Sequence, residues 1–495
     1  MYLLGIDLGS SSIKVALIAA KSQAVKKVIQ YPNSEMPIQA AKEGWAEQDP
    51  EMWWAHLKQA CNFLFDRSDI EPQEIAAIGI AYQMHGLVIV DKNHEVLRPS
   101  IIWCDSRAVA IGKAANEALG NKNCLQSMLN SPDNFTASKL RWVKENEPKL
   151  FEKIHKAMLP GDFLAMKMTG KIRTTISGLS EGIFWDFSKG DLAHDLLEHY
   201  GLSKEILPAT VDTFSVQGKL TVEAAAELGL AIDTPVSYRA GDQPNNAFSL
   251  GVIHPHQVAG TGGTSGVIYG VVDRPQYDLQ SRVNGFAHVN HAQDATRIGF
   301  LLCINGAGSQ YAWVKKQIAE QGLDYTALEE AQLNVPIGSD GLRILPFGNG
   351  AERMLQNKYL GAQMFNLQLN VHTRAHMYRA ALEGIAFAYV YGMEIMNDLG
   401  IQPKTMRVGN DNLFQSAIFS ETVATLSEVD IDLIETTGAV GAAKAAGFGI
   451  GIYPTLDAAV GDLKIIKSYR KKEVSKAYVE AYKDWKSILF QQYQL

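Results

Sequence analysis

The residue in this sequence best placed to do chemistry is Asp242. It follows an apolar segment at residues 234–238 and stands in the run Ala-Gly-Asp-Gln-Pro. The apolar segment predicts a β-strand, and the glycine and proline beside the acid predict that the strand ends there. A carboxylate presented at a strand end is a candidate catalytic group. The alternative is that Asp242 is only a turn residue, a position where aspartate is common.

Two glycine-rich turns between apolar segments predict hairpins that bind phosphate. One lies within residues 258–270, and the other joins the strands predicted at residues 2–9 and 13–19. Bare backbone N–H groups, together with serine and threonine hydroxyls, can hold an anion without a lysine. Glycines at such positions are otherwise explained by chain reversal alone. The candidate phosphate-binding residues are Ser10, Ser11 and Ser12 in the first turn and Gly263, Thr264 and Ser265 in the second.

A single acid, Asp7, interrupts the apolar strand predicted for residues 2–9. Burying a carboxylate is unfavourable unless it is paired or lies near a cation. Magnesium, bound directly or through water, would be a sufficient reason for an acid at this position. Asp7 is therefore a candidate metal-linked residue.

Candidate ligand-binding residues lie at the ends of two further predicted strands, at residues 75–81 and 96–104. Ligands of open α/β sheets bind outside the carboxyl ends of the strands. A histidine at such a position can equally be a structural residue with satisfied hydrogen bonds. The candidate ligand-binding residues at these two ends are Gln83, Met84, His85, Trp103 and Asp105.

Glycine-bearing turns recur in the second half of the sequence. Gly306 precedes a predicted helix, Gly409 and Asn410 follow a strand predicted at residues 405–408, and residues 438–451 are rich in glycine and alanine. Backbone that a ligand can approach closely suits an adenosine pocket. Close packing of helices explains the glycines in residues 438–451 equally well.

The order of the predicted elements indicates an α/β protein with two related halves. Each half begins with a strand hairpin and continues with alternating helices and strands, among them helices predicted at residues 136–146 and 374–399. The recurrence predicts two duplicated domains around a central cleft. We expect an N-terminal domain at residues 1–246, a C-terminal domain at residues 247–495, and the nucleotide between them.

Composition excludes several classes of protein. The chain has 495 residues, 46% of them apolar and 20% charged, and a net charge of −7, which disfavours a nucleic-acid surface. Neither a signal peptide nor a membrane span is expected from the apolar runs. The four cysteines are scattered without a Cys-x-x-Cys pair, which fits a reducing cytoplasm and no zinc site.

With these residues in place, the sequence resembles the FGGY family of carbohydrate kinases, and within it the kinases of D-xylulose. The resemblance spans nearly the whole chain and depends on all the motifs occurring in order. The motifs are GIDLGSSSIK (5–14), WxEQDPExWW (45–54), QMHG (83–86), LRPxIxWxDxR (97–107), TxxKLxWVxEN (136–146), GDQ (241–243), GTSG (263–266) and ALEGIAFA (381–388).

The resemblance implies two actin-like or hexokinase-like ATPase domains of the ribonuclease H-like type. It implies ATP and Mg²⁺ as co-substrate and metal, and phosphorylation of D-xylulose to D-xylulose 5-phosphate. Other ketoses or polyols, such as ribulose, glycerol or a seven-carbon ketose, stay open as substrates. The alternative from another class is an actin-like ATPase without a sugar substrate. The oligomeric state stays open, with a homodimer as one alternative.

The resemblance also implies roles for individual residues. Asp242 would be the base that deprotonates the sugar hydroxyl, with Mg²⁺ beside Asp7 and Asp242. Met84 and His85 match the substrate-binding pair of xylulose kinases. Two positions depart from the family pattern. Gln243, a candidate substrate-binding residue beside the base, stands where these kinases usually have asparagine, and residues 409–412 read Gly-Asn-Asp-Asn instead of a glycine run.

Overall fold

The fold contains two large β-sheets, which we describe from a computed structural model. The described residues are 1–66, 69–359, 361–410 and 412–494. The first sheet consists of β1 (Tyr2–Leu8), β2 (Ile13–Ala19), β3 (Val25–Tyr31), β4 (Ile75–Tyr82), β5 (Gly218–Lys219) and β6 (Pro235–Gly241). The second consists of β7 (Val258–Gly262), β8 (Gly266–Val272), β9 (Asn284–Ala287), β10 (Ile298–Ile304), β11 (Thr405–Gly409), β12 (Asp430–Ile434) and β13 (Ile465–Tyr469).

The two sheets share one topology. The strand orders are β5-β6-β4-β1-β2-β3 and β9-β10-β8-β7-β11-β12-β13. In the first sheet β1, β2 and β3 form an antiparallel meander, and β4 and β6 continue parallel to β1. In the second sheet β7, β8 and β10 are antiparallel neighbours, and β11 and β12 continue parallel to β7. This repeat confirms the duplicated α/β architecture expected from the sequence.

Helices cover both sheets. The main ones are α1 (Pro50–Phe65), α2 (Thr136–Asn146), α3 (Pro160–Thr169), α4 (Ile176–Glu181), α5 (Asp242–Ser249), α6 (Ala307–Gln317), α7 (Arg374–Asp398), α8 (Ala417–Leu426), α9 (Gly438–Gly449) and α10 (Lys476–Tyr493). The helices predicted at residues 136–146 and 374–399 are α2 and α7. Helix α7 is buried along most of its length in the core of the second sheet. In the described part of the chain, no helix has the length and apolar character needed to cross a membrane.

Two elements near the site differ from the sequence prediction. Of the strand expected at residues 96–104, Ser100–Ile101 is β-strand, and most of the remaining segment is loop. The strand expected at residues 234–238 extends to Gly241, so Asp242 opens helix α5 and does not lie in a turn. Gly241 stands at the helix N-terminus, where the chain leaves the sheet.

Helix α9 belongs by sequence to the second half but packs on the first sheet. A Cβ atom added at Gly5 in β1 would lie 1.8 Å from the carbonyl oxygen of Ala439, and one added at Gly79 in β4 would lie 2.0 Å from that of Ala442. The helix backbone therefore rests directly on the strands. Only small residues permit this approach, which explains the glycine- and alanine-rich sequence of α9.

The edge strand β9 of the second sheet is bound by side chains from the first half of the chain. The Asn130 amide donates to the carbonyl of Gly285 (2.6 Å) and accepts from its N–H (3.2 Å). Ser180 accepts from the N–H of Ala287 (2.9 Å), and Ser177 donates to its carbonyl (3.0 Å). These bonds satisfy backbone groups that an edge strand would otherwise expose.

Candidate active site

A cavity of about 400 Å³ lies where the two large sheets face each other. Strands β1, β4 and β6 deliver residues to it from their carboxyl ends, as expected for an α/β sheet. The structure thus brings together most of the side chains that the sequence singled out. The lining residues are Asp7, Gly9, Ser10, Ser11, Ser12, Lys14, Gln83, Met84, His85, Trp103, Asp242, Gln243, Ser265, Val267, Leu301 and Cys303.

Asp242 lines this cavity as the first residue of helix α5. Burial raises the pKa of its carboxyl to about 7, and the negative charge of Asp7 acts in the same direction. Hydrogen bonds from Gln243 oppose these two effects. A carboxylate with a pKa near neutrality can take a proton from an alcohol more readily than an ordinary aspartate. The position and the pKa both suit a general base.

Asp7 lies near the end of β1, directly opposite Lys14 on β2. Burial raises the pKa of its carboxyl, while the positive charge of Lys14 lowers it. The first residue of helix α9 reaches the same carboxylate, because a Cβ atom added at Gly438 would lie 2.4 Å from its Oδ2. The N-terminus of a helix carries partial positive charge, which favours anions in this part of the cavity.

The residues of the cavity fit a magnesium ion bound together with a nucleotide. Asp7 and Asp242 direct two carboxylates at one space, and the charge of the first raises the pKa of the second. A divalent cation would relieve that repulsion. Among the described residues, no group of three or more histidine, cysteine or acidic side chains forms a complete metal site. Mg²⁺ typically binds one or two carboxylates and completes its shell with phosphates and water.

His85 follows β4 in a left-handed conformation, with φ of +61°. Its Nδ1 lies 2.9 Å from the carbonyl oxygen of Glu181. Because a carbonyl only accepts, Nδ1 carries the proton and Nε2 is left as an acceptor. Burial lowers the pKa of His85 to about 3, and the charge of Lys139 acts in the same direction, so the ring is neutral. The ring packs against the rings of Phe135 and of Phe286 in β9, with centroid distances of 4.9 Å and 5.3 Å.

Asp105 and Trp103 are neighbours with different surroundings. The Trp103 side chain is 50% exposed and lines the cavity. Asp105 is fully buried and does not line it. Its carboxylate accepts from the N–H of Ala46 (2.6 Å) and forms an ion pair with Arg107 (2.6 Å). The structure therefore places Asp105 as a support for the Trp103 loop, whereas the sequence suggested a substrate contact.

Gln83 connects the strand end to the first hairpin. Its side-chain amide donates to Gln48 Oε1 (3.1 Å), and the Gln48 amide donates to the carbonyl of Ser10 (2.7 Å). The hairpin itself is closed by a bond from the Gly9 N–H to the carbonyl of Ser12 (3.0 Å). The three serines are therefore held beside the strand that carries His85.

The second hairpin lies between the first cavity and a neighbouring one of about 340 Å³. Ser265 lines the first, and Gly263 and Thr264 line the second. The carbonyl of Thr264 accepts from the N–H of Ser309 in α6 (2.9 Å), which ties the hairpin to that helix. The neighbouring cavity is lined by Gly263, Thr264, Gly308, Ser309, Tyr311, Ala312, Tyr325, Thr326, Glu329, Leu382, Leu413, Gln415 and Ser416.

The other glycine-rich turns of the second half lie near this neighbouring cavity but do not line it. Gly306 lines a third cavity of about 490 Å³, which also includes Ser309. Gly409 ends β11, and both oxygens of Asn410 accept from the side chain of Gln415. Of these three residues, Asn410 contacts the lining of the neighbouring cavity, through Gln415. Asp411 lies outside the described residues.

Sequence reasoning missed several residues at the site, among them Lys14 and Glu181. Lys14 belongs to the first hairpin, and the register that pairs it with Asp7 could have identified it. Glu181 ends helix α4, outside all the motifs and strand ends that the sequence analysis singled out. Its side chain is 2% exposed and its Oε2 lies 4.0 Å from His85 Nδ1. Burial raises the pKa of this carboxyl well above its usual value. No local pattern in the sequence indicates its position.

The sequence of this chain is similar to those of known proteins. Residues 2–249 match the N-terminal domain of the FGGY family of carbohydrate kinases, and residues 258–450 match its C-terminal domain. The chain is 29% identical over 463 residues to a xylulose kinase from Bacillus subtilis, covering 92% of this chain and 90% of that protein.

Solved structures agree with the fold. A xylulose kinase from Rhodospirillum rubrum superposes with a TM-score of 0.89 at 25% identity and covers 99% of both chains. A gluconate kinase from Lactobacillus acidophilus superposes with a TM-score of 0.90 at 21% identity, covering 99% of this chain and 98% of that one, and shows the fold alone. The duplicated sheets, the cavity between them and the two domain matches together establish that this chain belongs to the FGGY family of carbohydrate kinases.

Proposed function

We propose that this kinase transfers the γ-phosphoryl group of ATP to D-xylulose and releases D-xylulose 5-phosphate. The observation that carries the proposal is the shared cavity of Asp242, Met84 and His85. There a carboxylate with a pKa near 7 stands beside an apolar side chain and a neutral imidazole. Similarity to xylulose kinases over most of the chain supports the choice of sugar.

Asp242 accepts the proton of the C5 hydroxyl as its oxygen attacks the γ-phosphorus. A sugar hydroxyl is a poor nucleophile at neutral pH, and a carboxylate within hydrogen-bond reach makes the attack easier. The bond from the γ-phosphorus to the bridging oxygen of ATP breaks as the new bond forms, and ADP leaves. Asp242 then holds the proton until solvent or product removes it.

His85 and Met84 recognise the sugar. The Nε2 atom of His85 accepts a hydrogen bond from a sugar hydroxyl, because its Nδ1 is already bonded to the backbone of Glu181. Met84 offers an apolar surface to the carbon face of the sugar. Trp103, half exposed at the cavity, covers the bound sugar and restricts water.

The two hairpins bind the phosphates from opposite sides of the cavity. The first provides the amides and hydroxyls of Ser10 to Ser12, with the Lys14 side chain beside them, and the second provides Gly263 to Ser265. Mg²⁺ beside Asp7 and Asp242 would neutralise charge on the β- and γ-phosphates. The adenosine occupies the 340 Å³ cavity, where Tyr311 and Tyr325 stack with ring centroids 5.6 Å apart.

The rate of phosphorylation should fall as the pH drops below about 7. Asp242 acts as a base only when it is ionised, and its pKa is raised from 3.8 to about 7. Below that pH, kcat/KM for the sugar should decrease by about tenfold per pH unit. The measurement is a pH profile with Mg-ATP held well below its KM, so that kcat/KM reports the pKa of the free enzyme, and the protein is checked for folding at each pH. A flat profile through the acid range would contradict the assignment of Asp242.

Replacing His85 with alanine should weaken sugar binding and leave nucleotide binding unchanged. The sugar hydroxyl that bonds Nε2 would lose its partner, which costs about 1–3 kcal/mol of binding free energy. Calorimetric titration of sugar and of an ATP analogue measures both affinities. An equal loss of ATP affinity would show that His85 does not act on the sugar.

A panel of sugars in a coupled assay for ADP release tests the proposed substrate. D-xylulose should give the highest kcat/KM among xylulose, ribulose, glycerol, gluconate and a seven-carbon ketose. The second candidate is another ketose or polyol, favoured by Gln243 beside the base, where the resemblance led us to expect asparagine. ATP turnover that no sugar stimulates would favour an actin-like ATPase instead.

A further inference from the structure

Helix α2 begins with a turn that contacts the loops bearing His85 and Trp103. Lys139, fully buried in this turn, donates from Nζ to the carbonyl oxygen of His85 (2.9 Å) and to that of Ile102 (3.0 Å). His85 lines the sugar cavity, and Ile102 directly precedes Trp103, which lines it too. The Lys139 side chain therefore binds both loops next to the cavity. In one loop it binds His85 itself, and in the other it binds Ile102, the residue before Trp103.

Two further contacts from the start of α2 also reach the loop that bears His85. The Thr136 hydroxyl donates to the carbonyl of Gly86 (3.4 Å), and the Phe135 ring packs against the His85 ring. Threonine and lysine three residues apart lie on one face of a helix, which explains their common target. The His85 backbone has a positive φ, a conformation that non-glycine residues adopt rarely and that needs support from its surroundings.

Among the described residues, no acidic side chain forms a direct ion pair with the Lys139 ammonium group. Asp105, whose charge acts on Lys139, is itself paired with Arg107. Burial lowers the pKa of the Lys139 amine to about 7, and the charge of Asp105 opposes the effect. Either protonation state keeps at least two N–H groups, so both carbonyls stay bonded when the amine titrates.

We propose that Lys139 is a positioning residue for sugar recognition, which sets the distance between His85 and Trp103 by binding the backbone of both loops. This inference rests on the proposed function, because it assumes that the two side chains contact the sugar. A backbone bond from the Leu87 N–H to the Ile101 carbonyl (2.9 Å) already joins the loops behind the cavity. Lys139 extends this connection to the residues that face the substrate.

The test compares Lys139→Met with Lys144→Met. Lys144 lies on the same helix, and its ammonium also donates to backbone carbonyls, those of Tyr200 and Gly201, which do not line the cavity. Lys139→Met should raise the KM and Kd for the sugar by roughly 10- to 100-fold, because small misplacements of contact groups have effects of this size. The Kd for an ATP analogue should stay within about twofold of the wild-type value. Lys144→Met should change neither.

A structural role alone would give a different result. If Lys139→Met lowers the thermal midpoint as Lys144→Met does but leaves the sugar Kd within about twofold of wild type, the proposal is wrong. In a His85→Ala background, the effect of Lys139→Met on the sugar Kd should shrink, because part of it acts through His85. If Lys139→Met does not fold, Lys139→Gln, which can donate to one carbonyl at a time, takes its place with the same expected direction.

A failure of the proposed function can be told apart from a failure of this inference. If wild-type protein phosphorylates another sugar of the panel, the same variants are measured with that sugar. If it phosphorylates none, the proposed function fails before the variants are compared. Amide hydrogen exchange in residues 83–87 and 100–104 of the free protein then tests the inference separately. Lys139→Met should speed exchange in both segments and Lys144→Met in neither, and unchanged exchange in Lys139→Met overturns the positioning role.

Discussion

Replacing Asp242 with asparagine should lower turnover by roughly 10²- to 10⁴-fold while leaving the protein folded and able to bind both substrates. Asparagine keeps the shape of the side chain and can still form a hydrogen bond with the sugar hydroxyl. It cannot accept the proton. Because Asp242 opens helix α5 at the edge of the cavity, the change leaves the core intact.

Two measurements decide the role of Asp242. Calorimetric titration of the variant with the sugar and with an ATP analogue gives both affinities, and the coupled assay gives the rate. Intact binding with lost turnover supports a general base, and the residual activity should no longer depend on the pKa near 7. Turnover within a few-fold of wild type would remove Asp242 from the mechanism, and lost binding would make it a residue that only holds the substrate.

The second large effect is expected from a single methyl group at Gly438. In Gly438→Ala, the new Cβ would lie 2.4 Å from Asp7 Oδ2, which is too close for two unbonded atoms. Helix α9 packs backbone to backbone on β1 and β4, so we expect the more flexible Asp7 carboxylate to shift. A displacement of about 1 Å at a reacting centre can cost about 10²-fold in rate, and we expect a loss of this size in kcat.

The expected loss of kcat in Gly438→Ala can be distinguished from a loss of folding stability. Alanine is a better helix former than glycine by about 1 kcal/mol, so the substitution should not unfold the protein through helix propensity. The variant should bind Mg-ADP more weakly by calorimetry and require a higher Mg²⁺ concentration. Asp7→Asn should share this behaviour, and the double variant should be little worse than either single one.

A matched control is Ala445→Gly, two turns further along the same buried helix. It should lower the thermal midpoint without changing the Mg²⁺ requirement. If Gly438→Ala keeps a kcat within about threefold of wild type, α9 does not constrain Asp7, and the close approach has no role in catalysis.

The sequence by itself determined the duplicated α/β architecture. Apolar runs at strand spacing, separated by glycine-rich turns, predict the two hairpins, and the structure has them in both sheets. The same local signals placed Asp242 and His85 at strand ends, because the end of an apolar run is visible in the residues themselves. Strand ends of a parallel sheet lie at one edge, so their meeting in one cavity followed from the order of elements.

Only the tertiary structure decided which polar groups face the cavity and what holds them. Asp105 and Trp103 are two residues apart in sequence, yet one is paired with Arg107 and the other faces the cavity. Glu181 and Lys139 approach the His85 loop from separate helices, 96 and 54 residues away along the chain. Local periodicity reports which face of an element is buried. It carries no information about which distant side chain meets that face, because that depends on how the loops and helices pack once the core has formed.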